Sequence, residues 1–361
     1  AFYGTYVLYG ILISLAQQKG IKIILVQLYH EMKYFPMIFL FSVARCDDRW
    51  AKWTLKIIKP IIIFTVVLIL FQIAVPGGYD AVFKNGGHFE KAHIGGILLP
   101  RLVGLFWHPG QTALFFLIAA VFFIVEYQKR NIKFGFSMVT LCVLFVMLSI
   151  QRFELFILFV VLMAFWFRRY IHLDYQPFLS ALIFILFAGG ILYLISDQAH
   201  FWTLIEDFHS PRTVFLVEAL FTLVDTNYWG AGWGTIGSHT AADVANVYEF
   251  NSMKDIWWVK LELYFYDTYW PHVIGETGLP GFFLLLLSMV FMIRALNSPE
   301  ASILLFVLIL TSALSSNAQS LYHLTVFGWF IMLLENNHNN PLVLHPVQKD
   351  TSLNLNYEGV K

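Results

Sequence analysis

The feature that most constrains this chain is a series of apolar runs, most of them about as long as a bilayer is thick. A transmembrane helix needs about 20 mostly apolar residues, and only 13% of the 361 residues are charged, against about 25% in a soluble domain. We therefore predict an all-α polytopic membrane protein with about ten transmembrane helices. The predicted spans are residues 2–16, 23–44, 55–75, 111–125, 135–150, 153–167, 178–196, 278–293, 301–316 and 321–335.

Net charge and cysteine content exclude further classes. Basic and acidic residues are equal in number, 23 of each, and this zero net charge argues against a nucleic-acid binder. Cys46 and Cys142 are the two cysteines, so a disulfide framework is excluded. The chain begins at Ala1 inside an apolar run with no basic flank, which favours an N-terminally truncated chain over a signal peptide.

The positions of the basic residues predict the orientation of the chain. Short segments rich in Lys and Arg stay in the cytoplasm, and five such residues lie within 45–59. Alternation of the spans then places the long segment 197–277 outside. The predicted regions are N-terminal transmembrane helices (1–75), a first outer loop (76–110), central transmembrane helices (111–196), a large and partly helical outer catalytic loop (197–277), C-terminal transmembrane helices (278–336) and a cytoplasmic tail (337–361).

The outer segment 197–277 is strongly acidic. It holds eleven acidic and three basic residues, a net charge of −8. Because such a field repels free anions, an arginine kept there, Arg212, suggests a local anionic partner; a salt bridge to one of the acids is the alternative. Arg101 and Arg152 lie at other predicted outer span ends. They either snorkel to lipid headgroups or join Arg212 in a clamp on a pyrophosphate.

Closely spaced glycines, at Gly230, Gly232 and Gly234, follow an amphipathic stretch over 213–224 that predicts a helix. A dinucleotide fingerprint would require a preceding strand in a βαβ unit, so that interpretation is rejected. Two interpretations remain. The run is either a tight turn that returns the chain to the membrane or a cradle of backbone N–H groups for an anion or a sugar.

Three titratable side chains, Asp267, His272 and Glu276, lie at the predicted outer membrane surface, where a general base would be placed. For His272 the alternative is an interfacial histidine with a hydrogen-bonded ring. The outer histidines show neither His-Glu-x-x-His nor paired-cysteine spacing, so no catalytic metal is expected. No nucleophile elbow indicates a serine triad.

Taken in order, these motifs resemble the O-antigen polymerase/ligase superfamily of bacterial surface-polysaccharide assembly (Wzy-type). The resemblance covers roughly residues 95–295. It implies a GT-C-like membrane glycosyltransferase that uses undecaprenyl-diphosphate-linked glycans and needs no metal or other cofactor. The matching motifs are Arg101-x-x-Gly104 with His108-Pro109-Gly110, Ser149-x-x-Arg152, Arg212 before an amphipathic stretch, Gly230-x-Gly232-x-Gly234, and Glu276-Thr277-Gly278-Leu279-Pro280-Gly281.

The resemblance also implies roles for individual residues. Arg152 and Arg212 match arginines that grip the donor pyrophosphate. Ligases of the superfamily commonly carry a histidine at the head of the segment that ends in Glu-x-Gly-Leu-x-Gly, and Asp267 stands at or near that position, as polymerases of the group often show. The expected catalytic residues are Asp267 as general base with Arg212 and Arg152, and the expected substrate-binding residues are Arg101, Gly232, Gly234, His272 and Glu276.

The expected function is therefore a polysaccharide polymerase at the outer (periplasmic) face of the bacterial cytoplasmic membrane. Expected partners are undecaprenyl-diphosphate-linked glycans, membrane lipid, and chain-length regulator and flippase proteins, with no nucleic acid. Two alternatives stay open: an O-antigen ligase that transfers glycan to a lipid acceptor, and a lipid-linked oligosaccharide flippase or other transporter. Transporters usually place charges at the bilayer midplane and use interrupted helices, whereas the charges here are predicted at outer span ends.

Overall fold

A computed structural model describes residues 1–43, 48–83, 91–94, 97–100, 102–106, 109–130, 133–149, 211–249, 256–260, 269–314 and 321–339, with scattered positions between 155 and 187. The regular elements among these residues are helices and one two-stranded hairpin, joined by turns and loops. The elements are α1 (Phe2–Ala16), α2 (Ile21–Val43), α3 (Asp48–Ala74), α4 (Pro76–Phe83), β1 (Lys91–Ile94), β2 (Ile97–Pro100), α5 (Pro109–Arg130), α6 (Lys133–Leu148), α7 (Pro211–Asp225), α8 (His239–Asp243), a 3₁₀ turn (Val247–Glu249), α9 (Trp257–Lys260), α10 (Trp270–Ala295), α11 (Pro299–Leu314) and α12 (Leu321–Asn339).

Two helices in the described part of the chain are long and apolar enough to cross a bilayer, Lys56–Ala74 within α3 and all of α10. Shorter apolar stretches occur in α1, α5, α6, α11 and α12. The predicted helical chain is confirmed, and these two helices are consistent with membrane association. The predicted spans 153–167 and 178–196 fall largely outside the described residues.

The first predicted outer loop contains regular structure that the sequence did not indicate. Helix α4 follows α3 almost directly, and β1 pairs antiparallel with β2, with Lys91 opposite Pro100 and Ile94 opposite Ile97. The loop also returns to α3, because the Gln72 side chain accepts hydrogen bonds from the backbone N–H groups of Val103 and Gly104.

Helix α5 forms the centre of the hydrophobic core. Every residue from Thr112 to Phe123 is at most 6% exposed, as expected for a helix that is apolar on all sides and surrounded by others. Phe116 stacks on Phe145 of α6 with ring centroids 5.1 Å apart, and Phe122 packs on Phe330 of α12 at 4.6 Å. The core therefore joins the central helices to the C-terminal ones.

Helix α10 begins at Trp270, whereas the predicted span begins at residue 278. The helix therefore starts eight residues before the predicted span, and His272 and Glu276 lie buried inside it. What residue 278 does mark is an interruption. Gly278 has φ 64° and ψ −168°, which are not helical, so α10 consists of two helical pieces that meet there.

Candidate functional site

The loop between α7 and α8 crosses α10 where that helix is interrupted. The N–H of Ala231 donates to the carbonyl of Gly275 (3.0 Å), and the N–H of Gly232 donates to the carbonyl of Glu276 (2.9 Å). In an unbroken helix, these carbonyls would accept from the residues four positions later. Pro280 has no N–H, and the N–H of Leu279 donates instead to the backbone carbonyl of Tyr228 (3.0 Å). The loop thus completes the hydrogen bonding of the broken helix.

Two glycines make this contact possible. A Cβ on Gly230 would lie 2.5 Å from the nitrogen of Gly278, and a Cβ on Gly278 would lie 2.4 Å from the carbonyl oxygen of Tyr228. Both residues also have positive φ, 95° and 64°, a conformation that side-chain-bearing residues rarely adopt. The two backbones therefore touch directly, and only glycine fits at either position.

The Glu276 carboxylate fills the cradle that the loop's backbone N–H groups form. One oxygen, Oε1, accepts from the N–H of Thr235 (3.0 Å), the N–H of Ile236 (3.3 Å) and the Ser238 hydroxyl (2.8 Å). Glycine-rich turns commonly bind anions through such N–H groups. Here the group in the cradle is the protein's own Glu276 carboxyl group, which is fully buried.

The glycine run is a tight turn, since Gly230, Gly232, Gly234 and Gly237 all have positive φ. The N–H of Gly232 is bonded to the carbonyl of Glu276, and the buried Glu276 side chain holds the loop through the N–H groups of Thr235 and Ile236. The substrate-binding roles expected for Gly232 and Glu276 stay predictions.

Helix α1 holds the other side of the same loop. The N–H of Trp233 donates to the Ser14 hydroxyl (2.8 Å), and the fully buried Trp233 ring lies against Gly10, where a Cβ would come within 2.3 Å of the indole. The Tyr9 hydroxyl donates to the carbonyl of Trp229 (2.7 Å). The loop is therefore clamped between α1 and α10.

We expect Ser14→Ala to destabilise this unit by about 1–2 kcal/mol, because it leaves the buried N–H of Trp233 without an acceptor. Ser288→Ala is the matched control. Both serines donate to the carbonyl four residues earlier, Gly10 and Leu284, but only Ser14 also accepts from another element. Thermal unfolding of the two variants measures the difference, and equal losses would contradict it.

Helix α2 contributes a carboxylate that faces His272. Glu31 Oε1 lies 3.6 Å from His272 Nε2 and accepts from the Gln27 amide at 2.9 Å. Gln27 in turn accepts from the Thr240 hydroxyl at 2.6 Å. His272 is 6% exposed and neither ring nitrogen has a hydrogen bond, so the alternative of a histidine with a hydrogen-bonded ring does not describe it. Its expected role in substrate binding stays a prediction.

Glu31, His272 and Glu276 form what we call the buried polar cluster. Besides the two His272 nitrogens, Oε2 of Glu31 and Oε2 of Glu276 are buried without a hydrogen bond, and Glu276 interacts electrostatically with both other members. A buried polar atom without a partner costs about 1–3 kcal/mol, and natural proteins contain few of them. We therefore take this cluster as the candidate functional site. Among the described residues, no group of three acidic, His or Cys side chains could hold a metal ion.

Two further histidines lie beside the cluster. The rings of His30 and His239 are stacked, with centroids 5.1 Å apart and an angle of 2° between their planes. Burial lowers the pKa of His239, an effect that the nearby carboxylate of Asp243 opposes. The lowered pKa favours the uncharged His239 ring, which stacks on His30 without charge repulsion.

The predicted site residues divide into two groups. His272, Glu276, Gly232 and Gly234 come together in this unit, although 40 residues separate Ile236 from its partner Glu276 along the chain. Arg212 is the second residue of α7, and its side chain lies outside the described part of the structure, as do the residues Arg101, Arg152 and Asp267.

Helix α7 nevertheless packs against α10, since a Cβ on Gly275 would lie 3.3 Å from the Cα of Ala219. The residues that the sequence analysis missed are Ser14, Gln27 and Glu31. Gln27 and Glu31 did carry a signal, because two polar residues one turn apart interrupted the predicted span 23–44.

Fold and site together define a class: a helical protein with candidate membrane spans, in which a glycine loop is hydrogen-bonded to an interrupted helix. That helix also carries two members of the buried polar cluster. No protein family, curated protein or solved structure matches the chain.

Proposed function

We propose that this protein is a polysaccharide polymerase, which transfers a growing glycan from undecaprenyl diphosphate to a lipid-linked repeat unit. One observation carries the proposal. Three of the motifs that resemble the O-antigen polymerase/ligase superfamily, namely the helix that begins with Pro211-Arg212, the glycine run and the Glu276-Thr277-Gly278 segment, pack into one folded unit. Separate motifs that resemble one site by chance would have no reason to meet.

The proposed chemistry rests on three arginines and one aspartate. Arg152 and Arg212, together with Arg101, hold the diphosphate of the donor and stabilise the charge that develops on it as it leaves. Asp267 takes the proton from the acceptor hydroxyl, which attacks the anomeric carbon. His272 follows Asp267 closely in the chain and is held against Glu31, so its burial favours a positioning role over direct contact with the sugars.

The same proposal includes the finer architecture: about ten transmembrane helices in a GT-C-like arrangement, in the bacterial cytoplasmic membrane, with the site on the periplasmic side. Chain-length regulator and flippase proteins are its proposed partners. In this placement the glycine loop and the second piece of α10 meet at the outer membrane surface, where both lipid-linked substrates would present their diphosphates.

The direct test is incubation of the purified protein with one lipid-linked repeat unit. A ladder of longer products, together with released undecaprenyl diphosphate, is the expected result. Transfer of the glycan to a different lipid acceptor, without a ladder, would instead identify a ligase. Absence of both products from correctly folded protein would contradict the proposal.

We expect Arg212→Ala and Arg152→Ala each to lower the rate of polymerisation about a hundredfold or more, because a lost contact to the leaving diphosphate removes a few kcal/mol of transition-state stabilisation. Arg294→Ala is the matched control, since Arg294 is exposed at the opposite end of α10. Product ladders from equal amounts of folded protein provide the measurement. Long chains from both site variants would overturn the assignment.

Transport of a lipid-linked oligosaccharide is the second candidate, and the interrupted α10 favours it. Transporters commonly use broken helices whose ends face the substrate, and the charged members of the buried polar cluster lie inside helices. Movement of a fluorescent lipid-linked oligosaccharide across a vesicle bilayer, without chain growth, would select transport over polymerisation.

A further inference from the structure

A second feature, which shares no residue with the buried polar cluster, lies at the N-terminal end of α3. A cavity of about 640 Å³ opens there between α3 and α12, lined by Arg49, Trp50, Trp53, Thr54, Ile57 and Trp329. Nothing in the proposed polymerase chemistry uses it. Its lining combines three tryptophan rings with a cationic side chain, which is unusual for a purely structural gap.

The tryptophan rings are held in place by hydrogen bonds and ring contacts. The Trp329 indole donates to the Thr54 hydroxyl at 2.8 Å, and that hydroxyl donates to the carbonyl of Trp50 at 2.8 Å. Trp329 also meets Trp50 edge to face, with centroids 5.6 Å apart. The wall that α12 contributes is therefore fixed before anything binds.

The other wall of the cavity exposes large apolar surface. Trp50 is 52% exposed, Trp53 is 60% exposed and Ile57 is 52% exposed. These three residues are three and four positions apart on α3, so they share one helical face. The exposed rings and the aliphatic side chain would contact an apolar ligand along about two turns of the helix.

A basic stripe runs along α3 beside these rings. Arg49, Lys52, Lys56 and Lys59 are spaced three and four residues apart, which places them on one face of the helix. The Lys56 ammonium lies 5.8 Å from the centre of the Trp53 ring. Residues 45–59 carry five basic and two acidic residues, a net charge of +3. The stripe therefore gives this end of α3 a positive field.

The position of the cavity along α3 indicates its environment. The part of α3 that is apolar enough to cross a bilayer begins at Lys56, and the lining residues from Arg49 to Ile57 lie at that end. Lipid phosphates lie at the boundary between the apolar and aqueous layers, where tryptophan is also enriched. The cavity is thus placed to meet a headgroup and the upper part of an acyl chain together.

From this combination we propose that the cavity is a specific site for an anionic phospholipid. The phosphate lies against Arg49 and Lys56, and the glycerol and the first acyl carbons lie on the faces of Trp50 and Trp53. Free inorganic phosphate would satisfy the cations only and would leave the exposed rings uncovered. A zwitterionic lipid would bring its own cation close to the basic stripe.

The test uses the full-length protein in nanodiscs that contain equal amounts of phosphatidylglycerol and phosphatidylcholine. Native mass spectrometry of the released protein should show phosphatidylglycerol retained in clear excess. In the double variant Arg49→Gln, Lys56→Gln we expect that excess to fall by about tenfold or more, because each basic residue near an anionic surface contributes roughly a fivefold factor.

Matched variants make the result specific. Arg294→Gln removes an exposed cation elsewhere and should leave the ratio of the two lipids unchanged. Trp53→Ala should weaken retention while Trp53→Phe keeps most of it, and both substitute an exposed residue, so the fold is preserved.

Three results would each overturn the proposal. The first is equal retention of the two lipids by the wild-type protein. The second is an Arg294→Gln effect as large as that of the double variant. The third is displacement of the bound lipid by excess inorganic phosphate, which would identify a free-anion site instead.

Discussion

Replacing Gly278 by alanine is expected to destabilise the protein by about 3 kcal/mol or more. The new methyl group would lie 2.4 Å from the backbone of both Tyr228 and Trp229, and the φ of 64° is itself unfavourable for alanine. Neither the loop backbone nor the backbone of α10 can move away without breaking the hydrogen bonds that join the two. We expect a large fall in melting temperature or loss of monodisperse protein.

Gly77→Ala is the control for this prediction. A Cβ on Gly77 would have no atom within 4 Å, and the residue lies in α4, where alanine is the better helix former. The control variant should therefore be as stable as the wild type or slightly more stable. If Gly278→Ala unfolded at the same temperature as Gly77→Ala, the direct contact between the loop and the broken helix would be wrong.

Replacing Glu276 by alanine is expected to destabilise the protein by about 3–5 kcal/mol. The carboxylate holds the N–H groups of Thr235 and Ile236 and the hydroxyl of Ser238. Because the site is sealed from solvent, these donors would lose their acceptor without gaining water. Under the proposed function, polymer synthesis would also be lost, because the glycine loop would no longer be held in place.

Two comparisons test the reason for that loss. Glu276→Gln keeps an oxygen that can accept the same three hydrogen bonds, so it should retain more than half of the lost stability. Asp225→Ala removes an acidic residue that is exposed at the end of α7 and should change the melting temperature little. Equal destabilisation by the glutamine and alanine substitutions at Glu276 would show that the hydrogen bonds are not what hold the loop.

Helix positions followed well from the sequence, and their ends did not. The amphipathic stretch 213–224 is confirmed as α7, and residues 23–43 of the predicted span 23–44 lie in one continuous helix, α2. Helix α10 begins eight residues before the predicted span, because His272 and Glu276 make its first two turns look polar in the sequence. A hydropathy average over neighbouring residues does not show that a distant element will bury these polar side chains and interact with them.

The candidate site was partly predictable for a related reason. The glycine run and the Glu276-Thr277-Gly278 segment stood out as motifs, but their contact across more than 40 residues did not. The substrate roles expected for Gly232 and Glu276 stay predictions, and the structure shows that the N–H groups of the loop bind the protein's own Glu276 side chain. Glu31 was missed, although it interrupts an apolar stretch of the sequence.

The sequence by itself determined that this chain is helical and poor in charge, with basic residues concentrated in short segments and acidic ones in a long one. Apolar composition and helical periodicity are local properties, so they can be read from neighbouring residues. Only the tertiary structure shows that the glycine loop bonds the backbone groups left free where α10 is interrupted, and that Glu31 faces His272. Both contacts join residues that are distant in the sequence. They therefore depend on how the helices and the loop pack, which neighbouring residues do not indicate.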